Sequence, residues 1–375
     1  MSKVKENNII ISNCILYFVY SIYLIKMMLG RIEYLEKIKD FLSIIQILFL
    51  VLCILIQSSR YNYKSLLIII CTTTTSIISY YVTKDTNIIF VFLYIFAMKN
   101  VNTKELIRFD IKAKLTLLGI NFLFLLFGVV ENSVYYRDDG TIRNTLGFDS
   151  PNTIGMILVS IFIEFIYLKK EKIDFKYFIL LAISILFLII IFDSRSSAIS
   201  LIILFISTFF AKYIKAEINF KKIICYSMLG YTILTLCFVY LYSTDNPIAI
   251  HVDDILSTRI AIANNFFQEY KVNLFGNYFK SYDYWIGYAN TIDNAYIYLL
   301  LKHGILNYII MLIFNIRLMK YFIKENDKWG IICLSIMYIY GLMEKATFIL
   351  VYNLILIEIK NIVYLKSKSE GNNYE

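Results

Sequence analysis

An all-α, polytopic integral membrane protein is the fold class this sequence predicts, and three observations predict it. Apolar residues fill 59% of 375 positions while only 17% are charged, and the mean hydropathy is +0.66, beyond the balance of an ordinary soluble domain. The apolar residues fall into runs, most of them near the ~20 residues that carry a helix across a bilayer. Cations gather in every second interval between those runs. The chain therefore reads as one transmembrane domain, 1–375, interrupted by a single long polar interval, 243–294.

About twelve spans follow from run length: residues 9–29, 41–57, 66–81, 87–98, 115–130, 152–168, 175–192, 197–213, 222–242, 295–316, 329–343 and 347–364. No small-residue cleavage site follows the first run, so it is expected to be retained. Counting from a cytoplasmic start places roughly two thirds of the 37 Lys and Arg in the inside segments, which sets both termini in the cytoplasm. The alternation breaks once, where Lys26, Arg31, Lys37 and Lys39 fall outside. The net charge of +9 is thereby topology signal, and no nucleic-acid partner is called for. Heavy use of Ile, Lys, Asn and Tyr points to an AT-rich bacterial genome.

Cys14, Cys53, Cys71, Cys225, Cys237 and Cys333 are scattered through apolar runs and read as small buried hydrophobes, not as a disulfide framework or zinc site. No Walker, dinucleotide-binding, HExxH or GxSxG pattern occurs. Asp138-Asp139 and Asp253-Asp254 are adjacent pairs whose side chains do not converge readily on one ion. Neither metal nor cofactor is expected.

In this orientation four polar clusters share the outer side. In the first, Arg143, Asp149 and Asn152 surround a helix that Pro151 opens and that Ser150 or Asp149 could cap. Free amides and the dipole at such a terminus favour an anion. The second, Asp193-Ser194-Arg195-Ser196-Ser197, either neutralises itself as an ion pair or presents the Arg195 fork and the Ser196 hydroxyl to a diphosphate. In the third, Leu256, Ile260, Ala263, Phe267 and Tyr270 form a helical stripe, which predicts an interfacial helix on the outer leaflet. Arg259 borders that stripe, where snorkelling is its plain explanation. In the fourth, Asp293 and Asn294 could cap the tenth span, and Asp293 could also act as a general base. Glu344, beside Lys345 at the outer end of the eleventh span, is a second candidate base, with an ion pair to Lys345 as the alternative. His251 reads as a loop histidine and His303 as a packed ring.

The ordered set resembles the Wzy-type polysaccharide polymerases, within the wider superfamily of O-antigen polymerases and ligases. It comprises Arg143 with Gly147-Phe148-Asp149-Ser150-Pro151-Asn152-Thr153-Ile154-Gly155, then Ser194-Arg195-Ser196, Ser257-Thr258-Arg259, Asp293-Asn294-Ala295-Tyr296 and Lys302-His303-Gly304-Ile305. Family members often carry His where Asp149 stands, and ligases place a His at or near Asp293. Both departures remove an imidazole base and favour polymerase over ligase. The resemblance implies a bacterial plasma-membrane glycosyltransferase acting on oligosaccharide repeat units linked to undecaprenyl diphosphate, at the outer face. It also implies flippase and chain-length regulator proteins as partners. A hydroxyl of one lipid-linked unit attacks C1 of the growing chain and the lipid diphosphate leaves. Cations must hold the departing diphosphate and a base must take the hydroxyl proton. Arg143, Arg195 and Arg259 would serve the first need, with Asp149, Asn152, Ser196 and Asn294 binding the glycan or diphosphate. Asp293 or Glu344 would serve the second, and Tyr282, Tyr284, Trp285 and Tyr288 could stack on sugar. Two readings compete: a ligase-like glycan transferase, and a lipid-linked glycan flippase or transporter, which should show internal repeats and charges midway along its helices.

Overall fold

The computed structural model describes residues 2–29, 33–57, 61–136, 140–148, 150–214, 221–279 and 292–364. Helices make up nearly all of it. In order they are α1 (Ser2–Met28), α2 (Glu33–Gln57), α3 (Tyr63–Thr83), α4 (Asn87–Ala97), α5 (Thr103–Leu126), α6 (Pro151–Lys169), α7 (Phe175–Ile190), α8 (Arg195–Phe209), α9 (Lys221–Cys225), α10 (Ser227–Ser243), α11 (Pro247–Ile255), α12 (Arg259–Glu269), α13 (Ala295–Lys302), α14 (Gly304–Lys324), α15 (Lys328–Tyr340) and α16 (Ile359–Val363). Between α5 and α6 lies one antiparallel hairpin, β1 (Val134–Tyr136) with β2 (Ile142–Asn144), in which Tyr135 faces Arg143.

Among the described residues, six helices are long and apolar enough to cross a membrane, and a seventh span results if α10 and α11, bent by 118°, count together. These are the helices of a membrane-embedded protein. Phe41, Leu48 and Leu55 of α2, Ile70 of α3 and Leu180 and Ile183 of α7 stand outward and exposed. Such an apolar wall suits lipid and would be a liability in water.

Several of the expected spans are not single long helices: 175–192 and 329–343 form the shorter α7 and α15, 222–242 divides into α9 and α10, and three runs depart further. The run 87–98 forms α4, only 11 residues, or about 16 Å of helix. Every residue from Ile88 to Ala97 is buried, so protein and not lipid covers both its ends. The run 295–316 breaks into α13 and α14 at His303-Gly304. Gly304 has φ +88°, and a Cβ there would lie 2.3 Å from the Gly276 nitrogen. The stretch after α12 docks against that break: the Ile305 and Leu306 amides donate to the Asn273 and Leu274 carbonyls at 3.0 and 3.2 Å.

The run 347–364 departs furthest. It forms 3-10 turns at Lys345–Phe348 and Leu354–Glu358 before the short α16. Irregular backbone at membrane depth must be enclosed by protein, and every residue from Ala346 to Lys360 is buried. Side chains stitch it internally, with the Asn353 amide donating to the Thr347 carbonyl at 2.8 Å and the Thr347 hydroxyl to the Met337 carbonyl at 2.7 Å. The segment descends along α6. Glu344 meets Asn152, the Val351 carbonyl meets Ser160, and Glu358 meets Tyr167.

The long polar interval is partly a packed layer. Asp245 turns the chain at φ +54°, and Asn246 caps α11, its side chain accepting from the Ile248 amide at 3.0 Å. The expected stripe appears in α12, but Ile260 and Ala263 bury themselves against Val239 of α10 and Ile297 and Leu301 of α13. Protein, rather than the outer leaflet, takes that face. The aromatic residues Tyr282, Tyr284, Trp285 and Tyr288 lie outside the described residues, as does Asp149.

Several cations counted toward the charge alternation are buried, Lys26, Lys114 and Lys360 among them. Lys26 sits beneath α2, donating to Ser43 at 2.9 Å and Gln46 at 3.1 Å, with the Phe90 ring 4.4 Å away. That explains one of the four residues that break the charge alternation. Lys114 lies inside α5, fully enclosed.

Candidate functional site

The polar clusters that meet do so where α6 and α8 begin and α15 ends. Pro151 occupies the first turn of α6, where its missing N–H costs nothing. Ser150 holds the capping position, yet its hydroxyl lies 3.2 Å from that of Thr153 instead of capping a backbone amide. Asn152, one residue in, projects its amide between two charges. It accepts from the Arg143 guanidinium at 2.5 Å and donates to Glu344 Oε1 at 2.9 Å. The β hairpin carries Arg143 to this position, and Arg143 Nε also reaches the Phe192 carbonyl at 3.5 Å.

Glu344 is the node. Its Oε1 accepts from Asn152, from the Ser196 hydroxyl at 2.7 Å and from Arg259 at 2.9 Å. Close contact between α6 and α8 makes this possible, since a Cβ on Gly155 would lie 2.3 Å from the Ser197 hydroxyl oxygen. Arg259 does not snorkel. It turns inward, donating to the Leu256 and Met343 carbonyls at 2.9 and 2.7 Å, while Asp293 stands 3.9 Å from its Nε. The turn before α12 aims it. Ser257 and Thr258 both have positive φ, and Asp253 closes the turn by accepting from the Ile260 and Ala261 amides at 2.7 and 3.1 Å.

The electrostatics follow from burial. Glu344 is enclosed in protein at the end of α15, where loss of hydration and then the neighbouring Asp293 charge raise its pKa to about 7. Arg259 and the Ser196 hydroxyl oppose that rise without cancelling it. Glu344 thus holds or releases a proton near neutrality, as a general base at working pH should. Asp293 is more open to the surface, with 27% of its side chain exposed.

Arg143, Asn152, Ser196, Arg259, Asp293 and Glu344 therefore share one assembly. Arg195 does not enter it: although adjacent to Ser196, its half-exposed guanidinium meets Asp193 at 3.1 Å. Asn294 is spent structurally, accepting from the Tyr296 and Ile297 amides and donating to the Leu342 carbonyl at 3.0 Å. Lys345 is not the partner of Glu344; its ammonium lies 5.7 Å from the Tyr298 ring centre. His303 is buried against Tyr298, ring centres 5.3 Å apart.

No family model, curated protein or solved structure matches this chain. Its chemistry must be argued from the assembly itself.

One polar group went unread in the sequence. Asp110 and Lys114, four apart on α5, meet Glu164 of α6 deep in the bundle. Two signals could have found it: a glutamate inside the otherwise apolar run 152–168, and an acid–base pair at helical spacing.

Proposed function

We propose that the protein is a glycan polymerase of the bacterial cell envelope, transferring a growing chain from undecaprenyl diphosphate to a hydroxyl of a second lipid-linked repeat unit. In this reading the chain crosses the membrane about twelve times, some crossings being short or broken, with both termini cytoplasmic and the Glu344 assembly outside. One observation carries the proposal: Arg143 and Arg259, 116 residues apart in the chain, are tied to the same buried carboxylate at the start of α6. Guanidinium forks beside a helix N-terminus suit a diphosphate. Glu344, with its pKa near 7, suits proton removal from a sugar hydroxyl. Asp293, the more exposed carboxylate, would steer the acceptor or share that duty.

The substrate supplies its own leaving group, so transition-state stabilisation falls to the arginines. Arg259 is the stronger candidate because three of its nitrogens are already fixed. Purified protein given undecaprenyl-diphosphate-linked repeat units should lengthen them on a gel, and the Arg259→Ala protein should leave single units. No elongation by intact protein on its own repeat unit would end the proposal.

One observation favours a second reading, the flippase or transporter. Asp110, Lys114 and Glu164 place charge midway along α5 and α6. Movement of a fluorescent lipid-linked glycan across vesicles, without elongation, would select it.

A further inference from the structure

The Asp110–Lys114–Glu164 cluster has an uneven charge count. Lys114 Nζ contacts Asp110 Oδ2 at 2.5 Å and Glu164 Oε1 at 2.7 Å, and all three side chains are at most 1% exposed. Ser160 donates to Glu164 Oε1 at 2.8 Å, and Tyr20 of α1 donates to Asp110 Oδ1 at 2.7 Å. Glu164 Oε2 is buried without a donor, and Asp110 Oδ2 has the Lys114 ion contact but no hydrogen-bond donor. Both carboxyl groups contact the same ammonium. One ammonium cannot neutralise two carboxylates, and an uncompensated charge in so dry a place is far more costly than a bound proton.

We propose that this cluster is a buried proton-binding site, holding one proton between Asp110 and Glu164 at neutral pH with Lys114 as the fixed counter-ion. Two carboxyl groups, one proton and one ammonium sum to zero charge, and the shared proton gives Glu164 Oε2 its missing partner. The groups facing the site are Tyr20 from α1, Asp110 and Lys114 from α5, Ser160 and Glu164 from α6, and the Val351 carbonyl, 3.4 Å from the Ser160 hydroxyl. Cys333 of α15 donates to the Ile163 carbonyl beside it. The Val351 contact joins the site to the buried irregular segment that also carries Glu344. The inference is independent of the polymerase reading.

Infrared spectroscopy of the purified full-length protein tests it, in a Glu344→Gln background that removes the buried carboxyl of the Glu344 assembly, each site variant being read as a difference from that parent. The carbonyl stretch of a protonated carboxylic acid should be present at pH 7 and lost in both Glu164→Gln and Asp110→Asn, because either change leaves one carboxylate for one ammonium. Lys114→Met should enlarge the band, since the second carboxyl must then also be protonated. If the variants fold poorly, the parent protein suffices: its band should fade as pH is raised and shift in D2O. Absence of the band at pH 7, or its survival in both amide variants, would overturn the proposal.

Discussion

The two ends of α6 and α15 handle charge in opposite ways. At the far end Asp327 and Glu171 each have their own cation. Lys170 meets Asp327 at 2.5 Å and Lys328 meets Glu171 at 2.8 Å, with the Trp329 indole also donating to Glu171. These pairs are solvent-accessible and border an open cavity of about 810 Å³, lined also by Lys104, Tyr167 and Glu358. At the other end one buried glutamate gathers an amide, a hydroxyl and a guanidinium on a single oxygen. Exposed, self-sufficient pairs contribute little and need no ligand. A buried carboxylate loaded with donors stores unfavourable desolvation that a fold tolerates chiefly where chemistry uses it. The contrast separates a neutralised surface from the proposed site.

The largest expected effect is at the node. Glu344→Gln should lower elongation by about a hundredfold or more, the scale of a lost general base. Glu344→Ala should also destabilise the protein, because Arg259 would be left buried without its carboxylate. If Glu344→Gln elongated normally, the two ends would not differ in the way described. Next comes Arg259→Ala, with a loss of about a hundredfold. Arg259→Lys should rescue little, since one ammonium cannot reproduce contacts made from three guanidinium nitrogens. Arg143 acts through Asn152, so Arg143→Ala should cost less, around tenfold.

A pH series sharpens the comparison from another side. Elongation should rise through pH 7 as Glu344 loses its proton and becomes a base. Stability should move the other way. The folded state raises the Glu344 pKa above its ordinary value, so the fold binds this proton more tightly than the unfolded chain does. Its contribution is therefore present at low pH and lost as pH climbs from about 4.5 to about 7. Melting midpoints in detergent should show that decline, and Glu344→Gln should lack this part of it. The smallest effects belong to the paired charges. Arg195→Ala, turned toward Asp193, should leave elongation within a few-fold, and Lys170→Ala should shift stability by less than about 1 kcal/mol. An Arg195→Ala loss as large as that of Arg259→Ala would mean its guanidinium leaves Asp193 for the site when substrate binds.

The reach of the sequence differs between neighbouring elements. Pro151 opens α6 where the sequence reading put it, because a first-turn proline depends only on its immediate neighbours. The stripe of α12 was likewise legible as helix, while the surface receiving it was not, since lipid and protein reward the same apolar spacing. The runs at 295 and 347 misled for a related reason. Hydropathy reports that a segment is shielded from water, and enclosed irregular backbone satisfies that condition as well as a helix does.

What the sequence determined by itself was the class: enough apolar length to demand a membrane-embedded helical protein, and a short roster of polar residues too expensive to be incidental. Tertiary structure alone decided which of those residues meet. Contacts across 192 positions, as from Asn152 to Glu344, depend on how helix ends are stacked, and no local pattern encodes that. The same packing turned Arg259 inward and Arg195 outward, because a side chain's surroundings, more than its type, set the cost of burying its charge.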